Sequence, residues 1–558
     1  MQVQTGLPDE GGLVTNTYDR RQFLTQSAAA AGGVVAAGAL VDQIAEAGVA
    51  GAAEGRITRG GTLTMGVISE QNQPFTPDYA NMDTSGFCYA RAIYDPLMVV
   101  GSDGKTVYPY LAKSLSHNAG YDVWTIQARA GVKFHDGTPC DAQAIFLNLV
   151  ADFNSTLTGA AVKALIKGFT VNAVKQTVTV NTKYKWTTFP FTLAEQQIAF
   201  MAAPSTLGSD NGKHNDYTGN PIGTGPFVFK SWDYTVSFQA TANPHYWRPG
   251  LPYLGAVAFN PIPDGPTRFA ALQSGTVDII HESEGDITKQ FPHLGSGYNF
   301  TLDYPGTPVY APSSNCFMMN CEKAPFSTKN LRLACAYGLD PAKFVTVVDS
   351  GESSVINGIF EKGSPYYKAG AYPKYNPTTA KSYVRKLTSA EKSFALTYVI
   401  GDPAVLRAAN LFQTEMGAIG LTVSLVGVSQ GDLIGYAIFG LYQVMTWAQF
   451  GGVSPDLNYP WFSTKTHLNF ANNNDPTVEK LMLQGMAAST EAARVKAWSE
   501  VSAQINKDVP YLWTDRVVLG VAAKSYVQNW KTFDTPAPAK PVLQPNQAVL
   551  FFTTTWRS

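Results

Sequence analysis

Residues 220–232 read NPIGTGPFVFKSW, residues 243–259 read NPHYWRPGLPYLGAVAF, and residues 266–278 read PTRFAALQSGTVD. Gly223, Gly225 and Pro226 make a tight loop before the apolar run Phe227-Val228-Phe229, the spelling of a turn that enters a strand. Asn243-Pro244 marks a second turn, and Val257-Ala258-Phe259 a returning strand. Pro266 suits the first turn of a short helix and Gly275 its end, with Val277-Asp278-Ile279-Ile280 as a buried strand beyond. The stretch therefore predicts turn, strand pair, helix and buried strand. It is a fragment of an α/β fold and carries no chemistry of its own.

The flanking sequence extends the same class. Leu63, Met65 and Val67 alternate in GGTLTMGV (60–67), which predicts a first strand with one buried face. Asp103-Gly104 reads as a hairpin turn. Trp124, Ile126 and Ala128 alternate in a further strand. KFHDGTPCDAQAIFLNL (133–149) predicts a strand, an Asp136-Gly137 turn and a helix, with Thr138 as N-cap, Pro139 at N1 and Asp141 at N3. Farther on, Leu331, Leu333 and Ala334 face inward on a helix, and Asp340-Pro341 cap the next. ALTYVI (395–400), a helix from about Ala404 to Met416, Gly420 and LTVSLVGV (421–428) make a βαβ unit whose crossover is right-handed. Helical stretches near 476–488 and 490–507 precede PYLWTDRVVLGVA (510–522).

Taken in order, GTGPF (223–227), NPHYW (243–247) and the Arg268, Leu272, Ser274, Gly275, Asp278 series resemble the extracytoplasmic solute-binding proteins of ABC importers. The resemblance is to their large peptide/nickel-binding family (solute-binding protein family 5, cluster C). Tyr94 to Leu97, Asp103-Gly104, Pro109 to Ser114 and Phe134 to Pro139 fit the same pattern, so the resemblance spans about 60 to 530. It implies an α/β, two-lobed periplasmic-binding-protein fold (type II, Venus flytrap) with an extra subdomain inserted in the first lobe. Lobe I is then expected from 56–100, 205–312 and 515–558, the inserted subdomain from 101–204, and lobe II from 313–514.

Length and composition agree with such a protein. The 558 residues suffice for about three domains, and 45% hydrophobic content is ordinary for a globular chain. A net charge of −1 argues against nucleic-acid partners, which call for a basic face. The 30 Phe, 27 Tyr and 10 Trp supply the cores and leave rings to line a cleft. Apolar runs after residue 60 stop short of the roughly 20 residues of a membrane span. Five cysteines, with no C-x-x-C, read as buried thiols; the alternative is one disulfide among Cys316, Cys321 and Cys335. Paired zinc-ligand spacing is missing.

The N-terminus reads as an address. DRRQFLT (19–25) is followed by an Ala/Gly/Val run from Ala28 to Val41 and small residues to about Gly55. Arg20, Arg21, Phe23 and Leu24 resemble a twin-arginine export signal, with departures at Asp19 and Thr25. Cleavage after Ala47, Ala50 or Ala53 fits, and no cysteine stands there for a lipid anchor. Residues 1–55 are thus expected to send a soluble, monomeric protein to the periplasm.

Four catalytic spellings are incomplete or explained by their turns. GSDGKT (101–106) has Val99 where a phosphate loop needs glycine. His281-Glu282 has Gly285 where a zinc helix needs its second histidine. His135-Asp136 is explained by its turn, and Gly223-x-Gly225 precedes a strand rather than a dinucleotide helix. No enzymatic activity and no cofactor are expected.

The resemblance places ligand at two segments. One is a loop, Thr84 to Cys88, with Ser85, Gly86 and Phe87 as contacts; the other is VMTWAQFGGVSPDLNYPWF (444–462), with Trp447, Gln449, Phe450 and Tyr459. The indole of Trp447 suits stacking on varied ligands, and core packing is its alternative role. Tyr442 is a weaker candidate, and Asp456 is expected to support its loop. Peptide-binding relatives follow that tryptophan with T-G-D, whose aspartate holds the peptide's ammonium group; here Ala448-Gln449-Phe450 stand instead. The arginine that dipeptide binders use for the carboxylate is replaced by Gly401-Asp402-Pro403, with Arg407 a turn later. A dipeptide's charged termini would be buried unpaired, at a cost of several kcal/mol. The expected cargo is therefore a longer or modified peptide, an opine, an oligosaccharide or a metal chelate, passed to an ABC permease and its ATPase. The competing readings are a periplasmic sensor or chaperone-like protein and, least favoured, a secreted hydrolase.

Overall fold

The computed structural model describes residues 57–80, 82–155, 158–207, 220–302, 313–370, 372–449, 452–533 and 549–558. The export signal, like Phe450, lies outside the described residues. A seven-stranded sheet runs, in spatial order, Tyr298–Leu302, Gly520–Lys524, Ile279–Glu282, Thr62–Val67, Ala256–Pro261, Ser237–Ala242 and Phe227–Asp233. Its centre is parallel: Thr62–Val67 pairs with Ala256–Pro261 on one side and Ile279–Glu282 on the other. Leu63, Met65 and Val67 are buried, as their alternation predicts.

A five-stranded mixed sheet runs Thr422–Val428, Ser393–Val399, Val444–Gln449, Ser314–Met319 and Tyr511–Arg516. The βαβ unit is its parallel edge: Ser393–Val399, helix Pro403–Ile419, Gly420 in the left-handed region at φ 96°, then Thr422–Val428. An antiparallel four-stranded sheet is built from Ala112–His117, Val123–Ala128, Thr177–Thr182 and Ile166–Asn172. The chain passes from the five-stranded to the seven-stranded sheet through the buried Val518-Leu519 step, between Arg516 and Gly520.

The opening stretch works by converging on one carboxylate. Asp95 is 1% exposed; its Oδ1 accepts from the Tyr246 hydroxyl at 3.0 Å, and its Oδ2 from Trp247 Nε1 at 2.8 Å and the Thr224 hydroxyl at 3.2 Å. Burial pushes its pKa up to about 6 against those three donors. The glycines around Thr224 allow the approach: a Cβ on Gly223 would sit 2.0 Å from the Ile93 carbonyl oxygen, and one on Gly225 2.5 Å from Ile93 C. Helix Gly265–Ser274 follows, capped by Asp264 and closed by Gly275 at φ 82°. Its Arg268 guanidinium meets both Glu282 carboxylate oxygens at 2.6 Å inside the core.

Three local expectations are corrected. The helix after the Asp136-Gly137 turn starts at Ala142 with Asp141 as its cap, because the Thr138 hydroxyl is taken by Asp136 Oδ1 at 2.6 Å. The turn at Asn243 is preceded by an additional strand, Ser237–Ala242, which mixes Phe238 and Ala240 with polar residues and so lacks a run of apolar ones. All five cysteines are free and four are buried, so the disulfide alternative is not formed.

Candidate functional site

The first candidate segment follows strand Thr62–Val67. Asp83 Oδ1 accepts from the Gly86 amide and from Gln71 Nε2, both at 2.9 Å. Residues 84–88, expected as a loop, are therefore the start of helix Thr84–Ile93, because this cap satisfies an amide that would otherwise need water. Ser85 is buried, with its hydroxyl accepting from the Ser69 amide and lying 3.2 Å from His281 Nε2. That nitrogen also accepts from the Ile68 amide at 2.9 Å, so the imidazole carries its proton on Nδ1 and Ser85 donates to the ring. Burial drives His281 down to about 3, keeping it neutral. Gly86 lies under Gln71, where a Cβ would meet Oε1 at 2.2 Å. Of the three residues only Phe87 is partly exposed, and its ring packs 5.9 Å from that of Phe200.

The second segment begins on strand Val444–Gln449. Trp447 stands opposite Cys316 and meets Phe470 edge-on at 5.6 Å; it is half-buried. Gln449, two residues on and so on the same strand face, is opposite Ser314. Gln449 is 4% exposed, and its Nε2 has no hydrogen-bond partner among the described residues. Such a buried amide hydrogen costs about 1–3 kcal/mol unless something accepts it. Tyr459 is fully buried, and its hydroxyl donates to Glu479 Oε1 at 2.7 Å, so its placement gives no support to ligand contact. Tyr442 is also buried and spends its hydroxyl on the Phe470 carbonyl. Asp456 accepts from Trp498 Nε1 at 3.0 Å and holds its loop to helix Glu491–Asp508. Phe87 and Trp447 belong to separate apolar clusters; the structure does not bring them into contact.

The two mixed sheets meet over a small cavity of about 10 Å³, room for about one water, lined by Ser283, Gly285, Asn315, Asp349, Arg516 and Val517, among others. At this seam a Cβ on Gly285 would lie 2.3 Å from the Asp349 carbonyl oxygen, so glycine permits the backbones to touch. Asp286 binds Arg407 at 3.4 Å, and Arg407 also donates to the Val348 carbonyl at 3.2 Å. The arginine considered for a ligand carboxylate is thus engaged at the seam. Burial and the neighbouring Asp515 push Asp349 up to about 9, while Asn315 Nδ2 donates to Asp515 at 2.6 Å. Sequence reading missed this pair because the two acids lie far apart in the chain and match no motif.

Catalytic spellings resolve into structure. His135 accepts the Gly223 amide at 3.3 Å through Nδ1, and its Nε2 donates to the Gly225 carbonyl at 3.0 Å. One further motif, Gly427-Val428-Ser429-Gln430-Gly431, has the spelling of a serine-nucleophile elbow. Ser429 caps helix Gln430–Phe439 and bonds Asp432, and no histidine is bonded to it among the described residues. Nor do the described residues contain a group of three or more His, Cys, Asp or Glu arranged to hold a metal ion. No helix among them is long and apolar enough to cross a membrane.

Two mixed α/β sheets meet at this seam, with the antiparallel four-stranded sheet as a third unit. The chain belongs to the bacterial extracellular solute-binding proteins, family 5, whose middle-region model matches residues 106–469. It is 25% identical over 471 residues to the nickel-binding periplasmic protein of Escherichia coli (strain K12), covering 78% of this chain and 86% of that one. It is equally 25% identical over 470 residues to the probable D,D-dipeptide-binding periplasmic protein of the same strain, covering 80% and 87%. Among solved structures it is similar to the oligopeptide-binding protein AppA from Bacillus subtilis in complex with a nonapeptide, with TM-score 0.77, 21% identity and coverage of 90% of this chain and 100% of that one. It is also similar to AgaA of A. tumefaciens R10 in complex with agropinic acid, with TM-score 0.76, 22% identity and coverage of 89% and 99%. The fold is the two-lobed periplasmic-binding-protein fold of type II, and the family is one of non-catalytic binding proteins.

Proposed function

We propose that this protein is the periplasmic binding component of an ABC importer, exported by the twin-arginine route through residues 1–55. It captures a peptide or peptide-like small solute between its lobes and delivers it to a permease served by separate ATPase subunits. The observation that carries this reading is the pair of mixed sheets meeting at one seam, in a chain of the solute-binding family. Lobe I comprises 56–100, 205–312 and 515–558, lobe II comprises 313–514, and 101–204 is the inserted subdomain. Ligand would shift the population toward the closed form by touching both lobes only there. Phe87, Trp447, Gln449 and Phe450 are assigned to contact, with Ser85, Gly86 and Tyr459 supporting them.

The cargo we favour lacks a free dipeptide's pair of charged ends. No acidic residue stands at 448–450, and Arg407 is engaged by Asp286. The unpartnered Gln449 amide favours a ligand that presents a hydrogen-bond acceptor to this strand. The cargoes of related proteins range over nickel, D,D-dipeptides, a nonapeptide and agropinic acid, which keeps opines and metal chelates as the second reading. Mass spectrometry of small molecules released from the purified protein tests both. A retained peptide-like or opine-like solute is expected, and micromolar calorimetric binding of unmodified dipeptides would sink the cargo assignment.

A further inference from the structure

We infer that Tyr184–Thr187 is a clasp, a strap on the four-stranded-sheet unit that fastens to the helices beside the five-stranded sheet as the lobes close and lets go as they open. The inference rests on the closing-lobe reading above and adds a residue-level device to it. The strap leaves strand Thr177–Thr182 and enters helix Phe189–Glu195. Thr187 donates its amide to the Met486 carbonyl at 3.0 Å, and its hydroxyl reaches the Met486 and Ala488 carbonyls at 3.0 and 2.9 Å. These acceptors stand at the end of helix Pro476–Ala487, where carbonyls have no partner within their own helix. On the rim, Lys185 Nζ donates to Ser489 at 2.7 Å, and Lys465 Nζ to the Tyr184 hydroxyl at 2.8 Å.

At the centre of the strap, Trp186 is 3% exposed and faces Asp456, also 3% exposed. Asp456 Oδ1 is occupied by Trp498, but Asp456 Oδ2 and Trp186 Nε1 are both buried and neither completes a hydrogen bond. A buried donor and a buried acceptor thus stand beside each other across the seam, and a small adjustment joins them. No strand of the four-stranded sheet pairs with the five-stranded sheet among the described residues, so the junction is docked rather than woven. Its strength sets what fraction of the ligand-free protein rests closed, and through that fraction the apparent affinity.

Native-state hydrogen exchange on the whole mature chain, with no ligand added, tests the clasp. The Thr187 amide is expected to exchange through an opening that leaves the amides of Thr177–Thr182 and Pro476–Ala487 protected. Replacing Lys185 and Lys465 together by Ala should speed Thr187 exchange about tenfold and leave those core amides unchanged. Asp456→Asn, which presents a second donor to Trp186, should act in the same direction, and small-angle scattering should record a larger radius of gyration. Thr187 exchange that occurs only with global unfolding, or that no variant accelerates, would overturn the clasp in favour of a permanent joint. A protein that retains no solute would count against the transport reading alone and leave this measurement intact.

Discussion

The Trp247 indole donates to Asp95 at 2.8 Å, joining the NPHYW turn to the end of the first described helix. With Thr224 and Tyr246 on the same carboxylate, two sequence motifs are tied to a third, Tyr94-Asp95-Pro96-Leu97. Removing the shared acceptor would strip the Thr224 hydroxyl and the Trp247 indole of this partner, while Tyr246 keeps its bond to the Tyr110 hydroxyl at 2.7 Å. Asp95→Ala should therefore cost about 3 kcal/mol or more, and Trp247→Phe, which strands one acceptor position, about 1–2 kcal/mol. Urea denaturation of both variants checks the order.

Two glycines of the opening stretch should respond very differently to alanine. At Gly223 the added methyl would strike the Ile93 carbonyl, a backbone atom that cannot step aside. At Gly275 nothing lies within 4 Å, and only the φ of 82° resists. Gly275→Ala should cost about 1 kcal/mol. Gly223→Ala should cost several times as much or yield no folded protein. Thermal melting of the two purified variants reads the difference.

Acid should weaken the fold through its buried histidines. Burial lowers His281 to about 3 and His135 to about 4, whereas an unfolded histidine titrates near 6.5. Between these values the unfolded chain binds protons that the folded chain refuses. Their contribution is present above about pH 6.5 and is lost progressively as pH falls toward 4 and 3. Relative to a variant with both histidines replaced by Asn, the wild-type denaturation midpoint should lose ground from pH 7 to 6 to 5, and neither imidazole should titrate by NMR above about pH 5.

Trp447 and Gln449 separate binding from stability. Trp447→Ala should weaken binding of the copurifying solute by about 1–3 kcal/mol. Gln449→Ala removes a buried amide that has no partner, so stability should hold or rise while affinity for an acceptor-bearing solute drops about tenfold. Calorimetry beside thermal melting distinguishes the two. Unchanged affinity in both variants would remove this strand face from the site.

Asp349 and Asp515 give a second electrostatic test. Burial raises both carboxyls, which disfavours two negative charges side by side at the seam. An unfolded aspartate ionises near 3.9, so the raised Asp349 makes the folded chain hold a proton that the unfolded chain has lost. Its stabilisation is full below about pH 4 and fades as pH rises toward about 9. Asp349→Asn should flatten the decline in stability between pH 7 and 9, as read by denaturant midpoint.

Local chemistry was legible in the chain wherever neighbours in sequence decide the outcome. Pro266 and Gly275 bound one helix, Gly420 ends another, and the alternating Leu63, Met65 and Val67 form a buried strand face. Motif order also identified the family, because glycines that must touch Ile93 and aromatics that must reach Asp95 tolerate few replacements. Side-chain competition was not legible: Thr138 lost its cap to Asp136, and Asp83 drew residues 84–88 into a helix. Tertiary structure alone buried Tyr459 against Glu479, engaged Arg407 with Asp286, and set Asp349 beside Asp515. Each of those pairings joins segments brought together only when the sheets and helices pack. Sequence by itself therefore determined the elements and the family, while packing decided which side chains remain available to a solute.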